Sequence, residues 1–189
     1  DEVSNLKGEN EIALVDKQGT SIAIMHLEES YRFDKKQMAK QVFGTLDKEH
    51  VGVANVFSMD DFLLSGKVDL IRLPNWSHSN YHLTPIETRI LFRDKGWKTI
   101  VGFQTRNIPH LGHEYLQKTA LTFVDGIFIN PVIGRKKIGD FEDGLILKAY
   151  DALIKNYYPK ERVVLTILRT EMRYAGPREA VFHAIIRKN

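Results

Sequence analysis

Two short apolar runs open the pattern, "EIALVD" and "SIAIMHL", with "KQG" between them as a turn signal. Such an arrangement predicts a β-hairpin. Segments around Val51 to Phe57 and Val68 to Leu73 set β-branched and aromatic residues among Gly, Asp and Ser, so the first portion reads as β-rich with room for one helix. "LPNWSHSNYH" reads as a connecting loop that either links domains or covers a site. At "TPIETR" the pattern changes. Thr84 suits an N-cap, Pro85 the first helical position, and Glu87 completes a capping box, which predicts a helix to about Lys95 stopped by Gly96. "KTIVGFQ" then predicts a strand buried on both faces. Leu116, Ala120, Phe123 and Val124 recur at helical spacing, and "GIFINPVI" (Gly126 to Ile133) predicts a second buried strand. Leu145, Ala149, Leu153 and Tyr157 mark another helix, "RVVLTIL" (Arg162 to Leu168) a third strand, and "GPREAVFHAIIRKN" a last helix with Pro177 in its first turn. Tyr157 and Tyr158 are expected to finish their helix as core and surface packing. Strands alternating with helices imply an α/β fold with a parallel, right-handed sheet. The expected division is residues 1–83, β-rich with a linker, and residues 84–189, α/β. A further strand would be expected where the chain stops, so both portions read as parts of a longer protein.

The 189 residues are 43% hydrophobic and 27% charged, the balance of a soluble globular protein. Cysteine is absent, which excludes disulfides and thiolate metal sites and makes a cytoplasmic address the default expectation. The longest apolar runs fall far below the roughly 20 residues of a membrane helix, and Asp1 opens no basic, apolar leader, so no membrane partner is expected. A formal charge of +3 suits an anionic small molecule as well as nucleic acid.

Candidate chemistry concentrates in "QTRNIPHLGHEYLQKTA", where a strand hands over to a helix. Ligands of open parallel sheets sit at the carboxyl ends of strands, and a helix starting there offers free N–H groups to an anion. His110 and His113 share one face of the helix start, and Gly112 between them leaves room for a ligand near the backbone. Two imidazoles with the Arg106 guanidinium form an array suited to charge developing on phosphate oxygens. Two plainer readings stand beside this one. A metal pair lacks a third ligand and any cysteine. A cap or a buried polar contact would suit a lone histidine, less well one flanked by Arg, Asn, Pro and Gly. Neither a Gly-x-Gly-x-x-Gly nor a Walker A motif is present.

"QTRN" followed by "HLGH" resembles the active-site signature of the ATP sulfurylase (sulfate adenylyltransferase) family, within the wider HxGH nucleotidyltransferases. "IGRKKIGDF" resembles that family's basic loop after the second strand, and "MRYAGPREAVFHAIIRKN" its segment leading toward the nucleotide site. The resemblance implies a PUA-like β domain followed by a Rossmann-like catalytic domain, and transfer of the adenylyl group of MgATP to sulfate, with Mg2+ arriving on the nucleotide and no protein-ligated metal. By resemblance, Gln104, Thr105, Arg106 and Asn107 contact sulfate and phosphate, with Arg106 pairing with sulfate. His110 and His113 steady the β-phosphate and leaving group, with Gly112 beside them. Arg135, Lys136 and Lys137 belong to a loop that either closes over the nucleotide or is simply solvated. Arg173 and Arg178 flank a Gly-Pro helix start that favours anions, where Glu171 and Glu179 are available to pair with them. ATP and sulfate are the implied partners, a homo-oligomer is compatible, and nucleic acid is not expected. The family's Gly-Arg-Asp-His nucleotide segment is missing, which puts activity of these residues alone in question. Competing readings are an HxGH enzyme with another acceptor, a non-catalytic fragment, and an RNA-binding PUA-like module. "QTRN" argues against another acceptor. The lack of a basic stripe interleaved with aromatics in residues 11–73 argues against RNA.

Overall fold

A computed structural model describes residues 10–74, 76–134 and 139–189. The chain divides into two compact units, Asp1–Ser77 and His78–Asn189.

In the first unit, β1 (Glu11–Val15) and β2 (Ser21–Arg32) form the predicted hairpin, with Leu14 opposite Ala23. The Asp16 carboxylate closes the turn by accepting from the N–H groups of Gln18 and Thr20, both at 2.9 Å. β3 (Phe62–Leu70) pairs antiparallel with β2 and completes a three-stranded sheet. Between β2 and β3 lie α1 (Lys35–Phe43), capped by Asp34, and α2 (Val51–Ser58). The second helix corrects the strand-like reading of Val51 to Phe57. Val53 and Val56, three apart, are both buried on one helical face. The His50 ring accepts from the N–H of Gly52 at 3.1 Å and starts the helix. The apolar content reported burial, and the spacing of three decided the element.

The second unit opens on a short turn, Ser79–Tyr81. Tyr81 packs against Ile133, Leu147 and Ile167, and its hydroxyl donates to Asp151, so the end of "LPNWSHSNYH" is part of this unit's packing. α3 (Pro85–Asp94) begins as predicted, with Thr84 and Glu87 in a reciprocal cap. β4 (Ile100–Thr105), β5 (Gly126–Ile133) and β6 (Val163–Leu165) form a parallel sheet in that order, and β7 (Leu168–Arg169) also pairs with β5. β5 is buried along its whole length. One face carries Ile127 and Ile129 into a core with Leu121, Ile146, Tyr150, Tyr158 and Val163. The opposite face puts Phe128 edge-on to Phe92 of α3 at 5.4 Å.

The remaining helices are α4 (Leu111–Leu121), α5 (Asp143–Tyr157) and α6 (Pro177–Lys188). The expected α/β fold with a parallel sheet is therefore present, and several details are corrected. β4 lies at the end of the strand order, and only Thr105 of it is buried, so it is not a strand covered on both faces. α4 stops before Phe123 and turns Gln117 and Leu121 inward, while Leu116 and Phe123 are exposed. α5 buries Ile146, Leu147 and Tyr150, one position off the expected stripe, and Leu145 faces outward. Tyr158 is core and Tyr157 surface, as expected. The single third strand is broken into β6 and β7 because Asn130 bonds the carbonyl and hydroxyl of Thr166, each at 3.1 Å, and the N–H of Ile167 donates to Tyr81. Among the described residues no helix is long and apolar enough to cross a membrane.

Candidate functional site

The crossing from β4 to α4 is built from its side chains. At the strand's carboxyl end the hydroxyl of the buried Thr105 accepts from the N–H of Asn107 at 3.0 Å, turning the chain sharply out of the sheet. Behind Thr105 lies a buried polar layer. Tyr158 donates to the Gln117 amide oxygen at 2.6 Å. Burial pushes the Tyr150 phenol upward in pKa. The Tyr158–Gln117 bond favours a single arrangement, because breaking it would leave two buried polar atoms unpaired. Gln104 and Asn107 are exposed above it.

α4 then starts on two histidines. The His110 Nδ1 accepts from the N–H of Gly112 at 3.1 Å, and the His113 Nδ1 accepts from the N–H of His110 at 3.3 Å. The rings stack with centroids 3.8 Å apart, and Phe103 meets the His113 ring edge-on at 5.7 Å. A backbone N–H can only donate, so both Nδ1 atoms must be unprotonated. In the neutral rings the proton sits on Nε2, and each histidine has an Nε2–H to offer a ligand. Burial, and secondarily the His110 charge, holds the His113 pKa below its ordinary 6.5. A Cβ on Gly112 would lie 3.0 Å from the His110 Cε1, so the glycine is what lets that ring fold back over the helix start.

Arg106 points elsewhere. Its Nε lies 3.7 Å from an Asp140 oxygen, and its Cζ sits 5.6 Å from the centre of the Tyr174 ring. Tyr174 donates to the same Asp140 oxygen at 3.2 Å. Arg106, Gln104, Tyr174, Glu179 and His183 line a cleft of about 310 Å³, together with Met172, Gly176 and Ala180. Tyr174 has φ of 59°, a left-handed conformation that costs a bulky residue on the order of 1 kcal/mol.

The structure thus brings Gln104 and Arg106 into one cleft, and sets His110 and His113 as a pair at the neighbouring helix start, outside that cleft's lining. Arg173 and Arg178 are exposed at the α6 start and do not line the cleft. The expected pairing of Glu179 with these arginine side chains is corrected. Its carboxylate accepts from the N–H groups of Arg173 at 2.7 Å and Ala175 at 3.1 Å, and lies 3.5 Å from the His183 ring. That arrangement follows from its burial, since a buried carboxylate needs donors held in place and the loop's backbone supplies them. Glu171 is exposed. Arg135, Lys136 and Lys137 lie outside the described residues. Asp140, Tyr174, Gln117 and His183 were not singled out in sequence. Asp140, Tyr174 and Gln117 are separated in the chain from what they touch, whereas His183 stands one helical turn from Glu179. Among the described residues no group of three or more His, Asp or Glu side chains is placed to hold a metal.

Residues 79–189 match the family model ATP-sulfurylase, and residues 1–73 match the model PUA-like domain. The chain is 57% identical over 182 residues to a sulfate adenylyltransferase of Pyrococcus abyssi, covering 96% of this chain and 48% of that protein. It is 49% identical over 189 residues to one of Cenarchaeum symbiosum, covering 100% of this chain and 50% of that protein. It therefore spans about half the length of the curated relatives it matches. Among solved structures, a hexameric APS kinase from Thiobacillus denitrificans superposes with a TM-score of 0.67 at 20% identity, over 94% of this chain and 31% of that one, which is a likeness of fold. With the family model covering more than half of the chain, and the histidine pair and arginine standing at the carboxyl edge of its parallel sheet, the chain belongs to the ATP-sulfurylase family.

Proposed function

We propose that this chain supplies the sulfate- and phosphate-handling part of a sulfate adenylyltransferase, which joins sulfate to the adenylyl group of MgATP. A sulfate oxygen attacks the α-phosphorus, the bond from that phosphorus to the bridging oxygen breaks, and pyrophosphate leaves with the electron pair. Sulfate and triphosphate are both anions, so the reaction needs fixed donors rather than a covalent intermediate. The observation that carries the reading is the reciprocal cap of His110 and His113, which holds two Nε2–H donors beside a helix N-terminus. In this reading they receive charge growing on the leaving pyrophosphate. Arg106 and Gln104 receive sulfate, with Thr105 and Asn107 shaping the turn between the two sets. Gly112 gives the His110 ring its place over the helix start, in place of the room for a ligand expected there. Arg135, Lys136 and Lys137 serve the nucleotide, and Arg173 and Arg178 add positive potential near the α6 start.

The division into a PUA-like portion over residues 1–83 and an adenylyltransferase portion over residues 84–189 belongs to the same reading, as do a cytoplasmic location and assembly into a homo-oligomer. The test is pyrophosphate release from MgATP with and without sulfate, by this chain and by a chain extended past Asn189. Sulfate-dependent release by either supports the assignment, and release by the extended chain alone assigns an essential nucleotide contact to the added segment. Release by neither overturns it.

A further inference from the structure

The Arg106 side chain is partly buried and partly open to the cleft. Its Nε is fully buried without a hydrogen bond of its own, yet 33% of the side chain remains exposed in the cleft shared with Gln104. The Asp140 carboxylate, itself only 9% exposed, lies 3.7 Å from that Nε. The Tyr174 hydroxyl donates to the same oxygen at 3.2 Å, and the Tyr174 ring lies against the guanidinium. Asp140 is therefore shared between a phenol and a guanidinium, and it braces one edge of Arg106.

Tyr174 reaches this position only through a left-handed backbone, at φ of 59°. Glycine or asparagine would adopt that conformation with less strain, so a tyrosine there points to use of its ring and hydroxyl. The strain is also held in place. Glu179 binds the N–H groups on both sides of Tyr174, those of Arg173 and Ala175.

We propose that Asp140 and Tyr174 are positioning residues, which clamp the Nε edge of the Arg106 guanidinium so that its other edge meets a tetrahedral oxyanion in the cleft. A guanidinium pairs with an oxyanion through parallel donors in a fixed fork, so its orientation matters as much as its charge. Asp140 lowers the local positive charge, and the clamp offsets this by removing the rotamer freedom that an unbraced arginine loses on binding. The inference rests on the reading that this cleft takes sulfate.

Two measurements separate the inference from that reading. In the 189-residue chain, hydrogen exchange at the Arg106 Nε–H, followed by NMR, should be slow and should accelerate several-fold in Asp140→Asn and Tyr174→Asn. The second variant keeps a side chain that tolerates the left-handed backbone, which guards against simple unfolding. In the sulfate-dependent release assay, with the extended chain where it is needed, Asp140→Asn should raise KM for sulfate about tenfold and Tyr174→Phe about threefold, with KM for MgATP changed less than about twofold. Unchanged exchange in both variants overturns the clamp. Faster exchange with an unchanged sulfate KM overturns its role toward sulfate. Faster exchange in a protein whose unsubstituted form never uses sulfate overturns the proposed function while supporting the anchoring of Arg106.

Discussion

Two helices of the second unit begin with the same reciprocal cap, made of different residues. At α3 the Thr84 hydroxyl accepts from the N–H of Glu87, and the Glu87 carboxylate accepts from the N–H of Thr84. At α4 the two roles are taken by His110 and His113, with the His110 ring reaching the N–H of Gly112. Thr and Glu are the residues expected where only a helix start has to be stabilised. Imidazoles fill the same backbone sites less economically. They bring two large stacked rings, require Gly112 between them, and work as acceptors only while neutral. What they add is a second nitrogen on each ring, carrying a proton, directed away from the cap. The difference between the two helix starts teaches that α4 is capped by residues selected for something besides capping.

The comparison breaks most sharply if capping and donation are separated at one position. Asparagine is among the best N-cap residues. His110→Asn should therefore leave α4 capped and stability within about 1 kcal/mol of the unsubstituted protein. Sulfate-dependent pyrophosphate release should fall roughly 10²- to 10³-fold, the usual loss on removing one preorganised donor. His113→Ala should lose a similar factor. Turnover retained in His110→Asn would reduce the pair to a cap. The matching change at the other helix start, Thr84→Ala, should cost about 1 kcal/mol in urea unfolding and leave turnover unchanged. A loss of turnover there would show that the two caps are not functionally distinct.

The two caps were also unequally legible. Thr84, Pro85 and Glu87 announced α3 because capping depends on neighbours in the chain, and β5 was legible because its buried run is apolar except for Asn130. The carboxyl-edge position of "QTRN" and "HLGH" could be read in the same way, since a strand followed by a helix fixes it. Other features depend on partners distant in sequence. Gln117 is polar and wholly buried, which is tolerable only because Tyr158, 41 residues later, bonds it. A hydrophobic stripe drawn through Leu116, Ala120 and Phe123 therefore missed the inward face of α4. The break between β6 and β7 needs Asn130 and Tyr81, and the clamp on Arg106 needs Asp140 and Tyr174, which no local pattern connects. In α2 the same limit appears in reverse, where β-branched residues suggested a strand and packing of Val53 and Val56 kept a helix.

Acid should sharpen the contrast between the caps. Burial lowers the His113 pKa from its ordinary 6.5, so the folded protein favours the neutral ring. Its contribution to stability is then complete above pH 6.5 and is lost as pH falls from there through the depressed folded value. Glu87 is lowered from 4.5 by its bonds to Thr84, so the α3 cap persists to more acidic conditions before it is lost in the same sense. Buried His183 is also lowered and contributes a loss of the same sign as His113, so global unfolding alone would not separate the two histidines. Exchange of individual amides would. As pH falls below 6.5, protection of the His110 amide, which donates to His113, should weaken before that of the Thr84 amide, which donates to Glu87. Parallel behaviour of the two amides would remove the proposed cost of using imidazoles.

The smallest expected change is at Gly112. Alanine at an ordinary helical position is more favourable than glycine by up to about 1 kcal/mol, which argues for a gain. The added methyl would stand 3.1 Å from the His110 Nδ1, inside ordinary contact, so the ring must move by a few tenths of an ångström. That movement lengthens the bond which the same nitrogen accepts from the residue's own N–H, and it redirects the Nε2–H on the far side of the ring. The two effects on stability oppose each other, and Gly112→Ala should unfold within about 0.5 kcal/mol of the unsubstituted protein. The effects on chemistry do not cancel, because helix propensity does nothing for a misdirected donor. Turnover should fall several-fold, measured as sulfate-dependent pyrophosphate release beside urea unfolding of the same preparation. A variant that gains stability and keeps full turnover would show that the His110 ring does not need the place that glycine allows it.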